Sequence, residues 1–200
     1  MNTPAFFDTI APITMYDPLA QTLGAVSDGI IDYTYVDMVK LAGHSCPTVA
    51  GAWIMTALGL AKLYGGETPV RGNVKVELRG AADEGVEGVV ANCIGLVTGA
   101  AGDTGFKGLG GKFARNARLF FAADITGDVR LSRLDDGSSV TMTYDPSPVP
   151  PDAQMRPLMQ KLLSNQASPD ERLLFGRLWQ ARVERILTRP GEWDTLVHFV

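Results

Sequence analysis

Residues 43–66 read GHSCPTVAGAWIMTALGLAKLYGG, and their punctuation decides the fold. Pro47 suits the first position of a helix, where its missing N–H costs nothing, and Gly65-Gly66 supply the residues that end one. Between them Val49 to Ala61 is apolar except at Gly51, Thr56 and Gly59, and these 13 residues fall short of the ~20 that span a bilayer. The stretch therefore reads as a buried core helix. Immediately upstream, Tyr33 to Ala42 reads as a short helix stopped at Gly43. That leaves His44-Ser45-Cys46 as a tight loop and puts Cys46 directly before the start of the long helix.

Downstream, Asn73 to Arg79, with Val74, Val76 and Leu78 on one face, and the Val-rich run Gly85 to Asn92 read as paired strands, with Cys93 closing the second. Thr98 to Gly111 (TGAAGDTGFKGLGG) carries six glycines in fourteen residues and reads as a shaped loop. Three further strands are expected at Ala117–Ala123, Asp128–Leu134 and Ser138–Tyr144, the last two joined by the turn Asp135-Asp136-Gly137. The proline-rich piece Pro146 to Pro151 is the one clear break in composition. Beyond it, Asp152–Ser164 and Ser168–Leu187 read as helices, the second opened by Ser168 as N-cap, Pro169 and a capping-box Glu171. The expectation is an α+β domain over residues 1–150. A helical extension over 151–200 would lay Leu173, Leu174, Leu178, Val183, Ile186 and Leu187 on that domain or on a second copy of the chain.

With 18 Lys+Arg against 22 Asp+Glu, a net charge of −4, the chain has no electrostatic pull toward nucleic acid or an anionic membrane surface, so a small molecule is the expected partner. Met1 to Asp8 lacks the basic and apolar regions of a secretory signal, which points to the cytoplasm. Chemistry by thiolate or imidazole has few parts to use: Cys46, Cys93, His44 and His198. His44 and Cys46 can aim at one centre from their loop, and Cys93 is the obvious third donor for an ion such as zinc, leaving a fourth position open to water or substrate. The competing reading is two buried thiols and a capping histidine. A helix start favours the thiolate of Cys46, which suits a metal or a nucleophile equally.

Lys107, within the glycine-rich loop, could serve an anion, although neither a GxxxxGK[ST] nor a GxGxxG pattern can be written there. Asp83, Glu84 and Glu87 read as solvated charges around a turn, and His198, among apolar neighbours, as a packing or interface residue.

The segment Gly43-His44-Ser45-Cys46-Pro47, leading into an apolar helix, followed by Cys93, then Thr98-Gly99 and Phe106-Lys107-Gly108, resembles the FmdE family, named for a component of formylmethanofuran dehydrogenase. The match runs from about Tyr35 to Ser139. The resemblance implies an α+β fold with a mixed β-sheet, a homodimer, and zinc on His44, Cys46 and Cys93 with Thr98 and Lys107 lining the same cavity. The chain departs from the family at Gly95-Leu96 and Ala100, where relatives carry an Asp and a further Cys, and it has no C-terminal four-cysteine ribbon. The functional expectation is a metal-binding protein with an open site for a small molecule. The alternatives are a non-catalytic accessory protein that holds a metal or cofactor for an enzyme, and a metal-free redox protein using Cys46 and Cys93.

Overall fold

In the computed structural model, which describes residues 2–200, the apolar stretch is helix α3, Pro47–Tyr64, and everything else is arranged around it. Before it come the hairpin strands β1 (Ile13–Tyr16) and β2 (Ile30–Tyr33), paired antiparallel, with the short α1 (Pro18–Thr22) between them, and then α2 (Tyr35–Ala42). Thr34 and Asp37 form a capping box at the start of α2, and Gly43 ends it in the left-handed region. After α3 follow β3 (Val74–Leu78), α4 (Glu87–Thr98), β4 (Leu119–Phe120), β5 (Val129–Arg133), β6 (Ser139–Tyr144), α5 (Met155–Leu163), α6 (Pro169–Leu187) and β7 (Val197–Phe199). The five-stranded sheet has the order β4-β3-β5-β6-β7; β3 and β4 run parallel and the other pairs antiparallel. The chain is thus an α+β protein with a mixed sheet.

The sheet shows period-two alternation. Val74, Val76 and Leu78 of β3, Val129 and Leu131 of β5 and Met142 of β6 are buried, with Val76 opposite Leu131 and Val129 opposite Met142. Glu77, between two of the β3 apolar residues, takes two 2.8 Å hydrogen bonds from Arg130, its register partner on β5. α3 lies against β5 and β6 and also touches α2, α4 and α6. Val49, Ala50, Ala52, Trp53 and Ile54 are consequently all buried, as expected for a helix apolar all round. Its internal hydroxyl on Thr56 donates to the Ala52 carbonyl.

Several expectations need correction. Gly85–Asn92 is not a strand: α4 covers Glu87–Thr98, and Cys93 lies within it. Val90, Cys93, Ile94 and Val97 are buried while Asn92 is exposed, a helical spacing that only emerges once the window extends past Cys93. Burial of that stripe outweighs the strand preference of its valines. Ala117–Ala123 shrinks to the two residues of β4 because Ala117 and Ala122 sit at φ +50° and +52°, which no strand accommodates. The C-terminal stretch is not wholly helical either, since β7 returns to pair with β6. α6 packs on α3 through its buried Val183, Ile186 and Leu187, while Leu173 stays 67% exposed. No helix among the described residues is long and apolar enough to cross a membrane.

Candidate functional site

The loop 43–46 is fixed from three sides. Pro47 starts α3, Cys46 is its N-cap, and the Cys46 Sγ accepts the Val49 N–H at 3.5 Å. The Ser45 carbonyl accepts bonds from Trp179 Nε1 (2.9 Å) and Gln180 Nε2 (3.2 Å), both on α6, and the Ser45 hydroxyl lies 2.9 Å from the hydroxyl of the fully buried Tyr35. Clamped this way, Cys46 is buried in the core while His44 is exposed. The His44 Nδ1 is engaged with the Ala42 carbonyl at 2.9 Å.

Cys46 and Cys93 are both free and buried. The Cys93 thiol, on α4, is pushed up to about 12, first by burial and then by the charge of Cys46. That coupling brings Cys46 and Cys93 into one neighbourhood, but His44 stays outside it. Among the described residues no three His, Cys, Asp or Glu side chains are grouped to hold a metal ion. The donor set therefore does not fit zinc as it stands, and a thiol held as neutral as that of Cys93 is also a poor nucleophile near neutral pH. Chelator competition is expected to show that wild-type protein and Cys93→Ala bind added zinc equally weakly. A stoichiometric zinc lost only in Cys93→Ala would re-establish the three-ligand centre.

The other residues singled out from sequence are also separated. Thr98 is fully buried at the end of α4, its hydroxyl bonded to the Ile94 carbonyl at 2.9 Å. Lys107 is exposed on the glycine-rich loop, and His198 is exposed on β7 opposite Thr143. Asp83 and Glu84 lie in the loop before α4, where Glu84 accepts the Ala81 N–H at 3.2 Å.

The geometry instead assembles a cleft at the head of α3 that sequence reasoning did not anticipate. It encloses about 330 Å³, within the range of small-molecule sites. Pro47, Thr48 and Met55 of α3 line one wall and Val86, Glu87 and Val90 of the α4 start another. Val129 and Tyr144 of the sheet, with Asp128 just before β5 and Pro146 just after β6, complete it. Tyr144 donates its hydroxyl to the Pro47 carbonyl at 2.9 Å, and burial raises its phenol.

The two carboxylates in the cleft are not equivalent. Asp128 is fully engaged, accepting Arg79 Nη2 at 2.7 Å and the Tyr144 N–H at 3.0 Å. Glu87 has no such bonds. Its carboxyl is held above the ordinary glutamate value by burial, with the charges of Asp128 and Glu84 adding to the rise and Arg79 opposing it. Glu87 was legible as an acidic residue, but its neighbour Asp128 comes from the loop just before β5, far along the chain.

No family model matches this chain, and no curated protein matches it at a significant level.

Proposed function

We propose that the protein binds a small molecule in the cleft at the head of α3, and that the ligand combines an apolar body with a protonated amine or similar cationic donor. The observation that carries this reading is Glu87: a half-buried carboxylate with no hydrogen bond from another described residue, in a cleft whose lining includes the apolar Pro47, Met55, Val86, Val90 and Val129. A cation on Glu87 offsets its repulsion with Asp128 and adds a charge-assisted hydrogen bond, while the apolar walls take the hydrocarbon. The same carboxyl, poised above the ordinary range, is suited to accept a proton from a bound ligand. Burial of Cys46 and Cys93 fits a structural part in the floor beneath the loop rather than direct chemistry.

Calorimetric titration with benzylamine and with the neutral isostere benzyl alcohol tests this. Benzylamine is expected to bind at least about tenfold more tightly, the value of one charge-assisted hydrogen bond, and to lose that advantage in Glu87→Gln. Binding should strengthen as pH rises through the Glu87 pKa, since the carboxylate is the binding form. Equal binding of amine and alcohol, or of amine to wild type and Glu87→Gln, would refute the reading.

A further inference from the structure

A second cavity, sharing no lining residue with the cleft, carries a different chemistry. It encloses about 190 Å³ and is lined by Arg71, Arg115 and Arg118 together with Gly72, Asn73 and Phe113. Arg115 is 6% exposed, and its Nε and Nη1 have no hydrogen-bond partner among the described residues. Such unpaired buried donors are rare because each carries the full desolvation cost of its N–H. Arg115 spends only Nη2, which donates to Asp17 Oδ1 at 2.6 Å.

The fold makes room for this arginine. Gly72, at φ +86°, leaves the space it needs: a Cβ there would overlap Arg115 Nη1. Its neighbours differ in how far they are committed. Arg71 is the most committed, with all three nitrogens donating: to Asp17 Oδ2 at 3.0 Å and to the Val97 and Leu96 carbonyls at 3.1 and 2.9 Å. Arg118 donates its Nε–H to the Ala114 carbonyl at 2.9 Å and also lines the cavity. Among the described residues, three arginines thus line the cavity and no acidic one does, and with the Asp17 carboxylate shared by Arg71 and Arg115 the excess is two positive charges.

We propose that this cavity binds a phosphate-class dianion, either free phosphate or the phosphate of a monoester, on the unpaired N–H groups of Arg115 and the amines of Arg118. The dianion matches the charge excess where a carboxylate would leave half of it uncompensated, and tetrahedral oxygens can take several arginine donors at once. Asp17 and Arg71 hold Arg115 in place and do not touch the ligand.

The test is calorimetric titration of the full chain with inorganic phosphate and, separately, methyl phosphate, at constant ionic strength set with chloride, with acetate as the monoanion control. Saturable one-to-one binding of either phosphate is expected, the tighter of the two identifying whether a free ion or an ester is preferred. Arg118→Gln, which leaves the buried Asp17–Arg115 pair intact, should weaken it at least tenfold while the protein still unfolds cooperatively without phosphate. Arg115→Lys serves as the second variant and should lose binding even where it folds. No saturable binding, an equal response to acetate, or an unchanged affinity in Arg118→Gln would overturn the proposal.

Discussion

Asp17→Ala is expected to cost about 3–5 kcal/mol of folding stability, about a fifth or more of what a domain of this kind possesses. Among the described residues Asp17 is the only carboxylate bonded to the buried Arg115, and it also takes Arg71 Nη1. Its side chain is 5% exposed and that of Arg115 8%. The same Oδ1 accepts the Leu19 and Ala20 N–H groups at the start of α1, so the substitution removes a helix cap as well. Removing one member of such a pair leaves the other charge buried and unpaired, and that stranded charge, rather than the pair's own attraction, is the main loss.

Acid titration gives an independent check on the same group. Burial acts to raise the Asp17 carboxyl, but the Ala20 N–H, the Arg71 hydrogen bond and the charges of Arg115 and Arg71 outweigh it, so the folded value lies below the ordinary one. A lowered folded pKa contributes stability that is complete above the unfolded value of about 3.9 and disappears as pH falls through the folded value. Urea midpoints of wild type and Asp17→Ala should therefore converge as the solution is acidified below pH ~4. A loss of less than ~1 kcal/mol at neutral pH would mean that the two arginines find other partners or water.

Gly51→Val is expected to cost about 3 kcal/mol and to abolish amine binding in the cleft. Gly51 lies on the face of α3 turned to β6, and a Cβ there would overlap the Tyr144 ring, with Cζ only 2.6 Å away. Glycine in a helix interior costs about 1 kcal/mol relative to alanine, so its presence here is explained by the ring it admits. Displacing that ring breaks the Tyr144 hydroxyl bond to the Pro47 carbonyl and pushes a wall of the cleft out of place. Because the cause is steric, Tyr144→Leu should recover part of the stability when combined with Gly51→Val, a coupling that chemical denaturation of the four proteins in the cycle would reveal. Additive losses would mean that the side chain at position 51 is tolerated without moving the ring.

What could be read from the sequence was what is local. The loop 43–46, the N-cap position of Cys46, the span of α3 and the capping box of α6 follow from residues within four of one another, because Pro47, Gly65, Ser168 and Glu171 act on adjacent backbone. Strands β5 and β6 also fall where alternation and a Gly137 turn predict them. α4 does not, since a run of valines carries the same residues whether a strand or a buried helix uses them. The cleft was out of reach for a different reason: Glu87 meets Asp128 only once α4 is docked on α3 and on β3, the sheet neighbour of β5. The Asp17–Arg115 pair is farther still, joining residues 98 apart in sequence, and nothing in the basic run Lys112 to Arg118 marks one arginine as buried. The convergence of His44 with the two cysteines depended on a side-chain direction, and the Ser45 bonds to α6 set that direction.

The return of β7 to the edge of β6 has a consequence for how the chain is made. During synthesis the β6 edge emerges with its partner strand still to come, because α5 and α6 intervene before Val197. Until they have been translated, a bare row of backbone donors and acceptors stays open to neighbouring chains. Closing the sheet is thus a late, long-range event, which marks the nascent polypeptide, more than the finished molecule, as the stage most in need of chaperone protection.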